Sequence, residues 1–160
     1  MNLRELPTDT ERDEFHAVVI RTDYGDQSAW NTLTAELMQP WGENYEALAH
    51  FVDDPAWAGA TVDDVRDAAS VDPELTVLFI ADSVTMGSAH HALLAVNLRS
   101  EEEDDAFEDE DESVRDFGRE FRTIPPQVHS IHANLSLANM DFEEFAAAAE
   151  EDPEKVFRSF

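Results

Sequence analysis

Five aspartates stand where this chain could do chemistry. Asp23 and Asp26 follow one apolar run, Asp53 and Asp54 a second, and Asp82 a third. Each run reads as a strand, and in an open parallel sheet ligands bind outside the carboxyl ends of the strands. Carboxylates gathered there suit Mg²⁺, a hard cation that takes oxygen ligands and keeps several waters. Receiver domains and aspartate-based phosphatases gather acids in this way, but both add a lysine beside the phosphate. Here the single lysine, Lys155, lies near the C-terminus. The competing reading is local: aspartate caps helices and starts turns, and an acidic chain has many to spend that way.

The other reactive residue types form no complete motif. The histidines are His16, His50, His90, His91, His129 and His132, with no HExxH among them. His129 and His132 are three apart on a predicted helix and could reach a metal from one face, but no ExxH carboxylate accompanies them. His90 and His91 precede a strand, where neighbours point to opposite faces. Ser83, Thr85 and Ser88 follow the third run without the GxSxG elbow of a hydrolase. Neither GxxxxGK[ST] nor GxGxxG occurs, and five glycines leave little material for a phosphate-cradling loop. With no cysteine, disulfides, thiol nucleophiles and thiolate zinc sites are excluded together. No residue is assigned a catalytic role, and no cofactor is expected beyond Mg²⁺ at the aspartates.

Arg21 and Arg122 sit on predicted strands and could pair with acids at the sheet edge or hold an anion. Trp30, Trp41, Trp57, Tyr24 and Tyr45 fall around the first two strand ends, where aromatics line pockets or anchor interfaces. Trp30 has helical spacing and reads as core. Arg21, Tyr24 and Trp57 are the interface candidates, with Trp57 placed at the surface by its loop, 53–59.

The elements that must position these residues follow from periodicity. Residues 15–22, 75–81 and 92–98 are apolar, β-branched runs of buried-strand type; 47–52 and 121–124 are shorter strands. Asp26 caps a helix whose Trp30, Leu33 and Leu37 form one face, ended by Pro40 and Gly42. Thr61 opens a second helix with Asp64 three residues on. Pro125 and Pro126 open a third, with a stripe of Val128, Ile131, Leu135 and Ala138. Asp141 and Glu144 form a capping box for a fourth, with Met140 stapled to Phe145 and Pro153 as its stop. The aromatic residues Phe157 and Phe160 predict that the C-terminal segment docks on the body. Strand alternating with helix predicts an α/β fold: a three-layer sandwich with a mainly parallel sheet of four or five strands and helices on both faces.

Charge bounds the partners. Thirty-seven acids face ten bases, a formal net charge of -27, and a chain of 160 residues is one domain of ordinary size. Binding to nucleic-acid backbones needs clustered Lys and Arg, so direct nucleic-acid binding is not expected. Anionic lipid surfaces repel such a chain, no stretch is apolar enough to span a bilayer, and the N-terminus lacks a secretory h-region. The cytoplasm is the expected location, and a basic protein or a cation the expected partner. Ten of the twelve residues 101–112 are acidic; this block supplies -10 of the charge and leaves -17 to the rest. Residues 100–117 are read as an acidic flexible insertion and 1–13 as a loose N-terminal arm.

Several stretches resemble a domain-of-unknown-function family of small bacterial proteins, common in actinobacteria. They are Val19–Asp23 with Trp30, the run Phe51–Trp57 (FVDDPAW), Leu78–Asp82 (LFIAD), Asn134–Phe145 (NLSLANMDFEEF) and the ending Val156–Phe160. The similarity spans about residue 16 to the end, with the acidic block to Asp116 as an addition to the family pattern. It implies a recurring, stand-alone bacterial domain and brings no activity, cofactor or site residue. The expectation for function is therefore a non-enzymatic protein-binding module, for example an immunity or inhibitor protein, meeting a basic partner. The alternative is a Mg²⁺-dependent enzyme or phospho-acceptor built on the strand-end aspartates.

Overall fold

The computed structural model describes residues 17–38, 49–69, 76–89, 91–98, 120–136 and 142–158. The expected N-terminal arm, the acidic insertion, the Asp141 cap with its Met140 staple, and Trp41, Tyr45, Ala138 and Phe160 lie outside these residues.

Strand β1 (Ala17–Arg21) leads into helix α1 (Gln27–Leu37), strand β2 (Ala49–Val52), a 3₁₀ turn (Pro55–Trp57), helix α2 (Val62–Ala69) and strand β3 (Val77–Ala81). A short helix α3 (Ser83–Gly87) then precedes β4 (Leu93–Asn97) and β5 (Glu120–Thr123). A second 3₁₀ turn (Pro125–Gln127) opens α4 (Val128–Ser136), and α5 (Phe142–Glu151) leads to β6 (Val156–Phe157). Among the described residues no helix is long and apolar enough to cross a membrane.

All six strands form one sheet in the order β2-β1-β3-β4-β5-β6. The fold is α/β, but the sheet is mixed and larger than expected. β1 runs parallel to β2 and β3, and β5 parallel to β6, whereas β4 is antiparallel to both its neighbours. The reversal has a simple cause. Eleven residues separate Ala81 from Leu93, and a parallel return needs a crossover of a dozen or more. β6 was not resolved as a strand by sequence, being only two residues long. Its docking was expected, and Val156 and Phe157 are indeed buried.

Alternation along β1 and β3 sorts the core into two layers. Ala17, Val19, Val77, Phe79 and Ala81 face α1, α4 and α5, with Phe121 and Phe157 in the same cluster. Val18, Ile20, Leu78 and Ile80 face α2 and Trp57 on the other side. Helices therefore cover both faces. Under α5, Phe121 lies 4.8 Å from Phe142 and Phe157 lies 5.2 Å edge-on to Phe145, which locks the last helix and strand to β5.

The helix starts are as local chemistry dictates. Asp26 accepts the Ala29 amide at 2.9 Å. Thr61 and Asp64 exchange bonds of 3.1 and 3.0 Å as a reciprocal box. The chain leaves β1 through α1 to β2 on one side, then returns through α2 to β3 on the other. β1, β2 and β3 thus end on one sheet edge, and the chain order switches between β1 and β3, the position where open sheets place ligands.

Candidate functional site

Two arginine centres organise that carboxyl edge. Arg21 ends β1 on the α1 face and is 2% exposed. Burying an unpaired guanidinium is prohibitive, so the surroundings must satisfy it. Its Nε donates to the Asp23 carbonyl at 3.0 Å, and its Nη1 to Gln27 Oε1 at 3.1 Å and Asp53 Oδ1 at 3.4 Å. The guanidinium carbon stands 4.2 Å from the centre of the Tyr24 ring and 5.1 Å from that of Trp30, within cation–π range. Burial, and then the negative Asp53 beside it, push the Tyr24 phenol up to about 12.

The second centre joins β5 to the start of α3. Arg122 grips Asp82 with two bonds of 2.8 Å, Nη1 to Oδ1 and Nη2 to Oδ2, the fork geometry that only arginine offers. Nη1 also reaches the Ala92 carbonyl at 3.2 Å. Asp82 caps α3 through the Thr85 amide at 3.0 Å, and the Thr85 hydroxyl returns to the Asp82 amide at 3.2 Å. Burial works to raise the Asp82 carboxyl, but the Arg122 guanidinium and the Thr85 amide outweigh it and hold the group below its ordinary value.

The five candidate aspartates reach the same edge but are used one by one. Asp23 accepts the Gly25 amide at 3.0 Å, Asp26 caps α1, and Asp54 accepts Ala56 at 3.0 Å to start the 3₁₀ turn. Asp53 pairs with Arg21, and Asp82 with Arg122. Among the described residues no group of three or more carboxylates and histidines is placed to hold a metal ion. The switch point itself is bridged by backbone. The Thr22 amide donates to the Ala81 carbonyl at 3.0 Å, and the Thr22 carbonyl accepts the Gly59 amide at 2.9 Å. Gly59 makes that turn at φ 75°, a conformation side chains disfavour.

That fold-over corrects the reading of Trp57. The 53–60 loop packs down on the α2 face, and Trp57 is fully buried beside Val18, Ile20 and Val65 rather than offered to a partner. Arg21, also an interface candidate, is likewise buried, and Tyr24 is half-buried against it. Trp30 is core, as expected. His129 and His132 are buried on α4, with His129 Nε2 2.7 Å from the Leu37 carbonyl at the end of α1.

Sequence reasoning missed a groove beside the Arg21 centre. Trp30, Thr34 and Ala35 of α1, with Met38 at its C-cap, line one side, Phe51 of β2 the other, and Asp53 one end, around about 440 Å³. Phe51 meets Trp30 edge-on at 5.8 Å. The available signal was Thr34 and Met38, which continue from Trp30 at four-residue intervals along the edge of the core face of α1 and its C-cap. Met38 is 53% exposed.

A family profile described as Domain of unknown function (DUF6924) matches residues 16–160. No curated protein matches the chain.

Proposed function

The chain belongs to the DUF6924 family, and because that family has no assigned activity we propose a function from the site itself: a protein-binding module that meets a basic partner through the carboxyl edge of its sheet. One observation carries this reading. Four of the five described cations are paired with the protein's own acids, while the edge keeps an exposed acidic fringe. Arg21 is sunk behind Asp53, Arg122 grips Asp82, Lys155 holds Glu150 at 2.9 Å and Arg158 holds Asp152 at 3.1 Å. Asp26, Asp53 and Asp54 remain exposed at the strand ends, with Asp63 and Asp67 on α2. Such a face attracts a positive surface over a long range and repels nucleic acid and anionic membranes.

Within this reading the protein acts in the cytoplasm, as an immunity- or inhibitor-type partner of a basic protein, and a chain without cysteine suits that reducing setting. The competing Mg²⁺-dependent reading finds less support, because the carboxylates it requires are separately engaged in caps and ion pairs.

The test is affinity capture from the source cells by the wild-type protein and two charge-reversed forms. One carries Asp26→Lys, Asp53→Lys and Asp54→Lys; the other Glu143→Lys, Glu144→Lys and Glu150→Lys on α5. A Lys- and Arg-rich partner is expected with the wild type and the α5 form and lost with the edge form. Equal capture by all three, or no basic partner at all, refutes the proposal.

A further inference from the structure

The groove between α1 and β2 has a composition that selects its occupant. Its walls, Trp30, Ala35, Met38 and Phe51, are apolar, and its far end is the carboxylate of Asp53, whose side chain is 45% exposed. The space, about 440 Å³, is wide open to solvent, so it offers room for one side chain laid along it rather than an enclosed ligand cavity. A purely apolar ligand would bury Asp53 against hydrocarbon and desolvate it. A small anion would meet a carboxylate and two aromatic rings. A long alkyl stem ending in a cation suits both parts, because lysine and arginine side chains lay their methylenes on apolar surface and keep the charge at its polar margin.

The protein already uses this chemistry once: its own Arg21 lies against Trp30 and pairs with Asp53 from the core side. We infer that the α1–β2 groove is a receptor for one basic side chain of the partner, its stem on Met38, Trp30 and Phe51 and its cationic head at Asp53. The inference rests on the basic-partner reading and adds to it a specific anchor point. It adds apolar contact to an attraction that on open acidic surface is diffuse and screened within about 8 Å at physiological salt.

The probe is n-butylguanidinium, titrated into the full-length protein at fixed ionic strength and followed by the NMR signals of the Met38 methyl and the Trp30 indole. Guanidinium and n-butanol supply head and stem alone. Saturable shifts confined to the groove are expected, with either fragment binding at least about tenfold more weakly. Ala35→Trp fills the groove from an exposed helical position and should abolish the shifts without unfolding the chain. Asp53→Asn should remove the preference for butylguanidinium over butanol. Butanol binding as well as butylguanidinium overturns the charge selectivity, and shifts unchanged in Ala35→Trp overturn the groove.

A second arm uses an arginine-rich peptide at physiological salt. Binding that is equal in the wild type and Ala35→Trp rejects the groove but leaves the basic-partner reading standing. No binding to either rejects both.

Discussion

Arg122→Met should be among the most destabilising changes outside the core, and the structure says by how much. The substitution removes two charge-assisted bonds of 2.8 Å to Asp82 and a third contact of 3.2 Å to the Ala92 carbonyl. It keeps much of the side-chain volume. Fully exposed pairs contribute about 0–1 kcal/mol, while removing one partner of a buried pair costs about 3–5 kcal/mol. Arg122 and Asp82 are 22% and 26% exposed, so the cost should lie between, at about 2–3 kcal/mol. Asp82→Asn should cost less, about 1–2 kcal/mol, because asparagine still caps α3 through the Thr85 amide. Combined in a double-mutant cycle, the two should show a coupling of about 1–2 kcal/mol.

The pH dependence follows from the same pair. Asp82 has a lowered pKa in the folded state, so the native state holds fewer protons than the unfolded one. The stabilisation is fully present above the ordinary carboxylate pKa and is lost as pH falls through the folded value. The gap between wild type and Arg122→Met in urea unfolding should therefore be widest near neutral pH and close in acid. An Arg122→Met protein within about 0.5 kcal/mol of wild type at neutral pH, the range of ordinary surface changes, would refute the reasoning, as would a gap that widens in acid.

Trp57→Ala should cost about 3–5 kcal/mol in urea unfolding, since the fully buried indole leaves a cavity between the sheet and α2; a cost below about 1 kcal/mol would return Trp57 to the surface. In an absorbance titration, the phenolate signal lost in Tyr24→Phe should have its midpoint at about pH 12. The folded pKa is raised, so its stabilisation is present below the ordinary tyrosine value and disappears as pH climbs through the folded one, and a midpoint near pH 10 contradicts this account. Gly59→Ala should lower stability by about 1 kcal/mol through backbone strain alone, because φ is 75° and no atom crowds the new Cβ; an unchanged midpoint rejects the strained turn. Mg²⁺ should raise the thermal midpoint no more than NaCl at matched ionic strength, and a Mg²⁺-specific rise abolished by Asp82→Asn would revive the metal-dependent reading.

What was legible in the sequence was local. The Asp26 cap and the Thr61–Asp64 box depend on residues three apart, so their spacing announces them. The buried runs of β1 and β3 are equally plain, since both faces of those strands are covered. The antiparallel turn to β4 was implicit in the short connection after Ala81, but it is a length argument rather than a pattern. Trp57 was misplaced because its burial is decided at long range. Its neighbours in the loop are polar or small, and the Gly59–Thr22 bond, across 37 positions, ties the loop down where the indole packs with Val18 and Ile20. The groove was hidden for a related reason: Phe51 and Trp30 become neighbours only when β2 pairs with β1.

The same distinction decides how strand-end aspartates should be read. Parallel crossovers bring every β1, β2 and β3 terminus to one edge, and each terminus hands over to a helix or turn whose first amides want an acceptor. Aspartates therefore accumulate at such an edge for capping alone, without any ligand. What separates a cap from a site is the fate of the rest of the carboxylate. Asp82 commits both oxygens to Arg122, and Asp26 and Asp54 are spent on starting a helix and a turn. Asp53 differs: one oxygen meets Arg21 at 3.4 Å, the side chain is nearly half exposed, and it closes the end of an apolar groove. On the proposed basic-partner reading, charge meets an apolar depression at Asp53, so binding specificity should respond to substitution there and at the groove walls, while the other edge acids change chiefly the rate of approach.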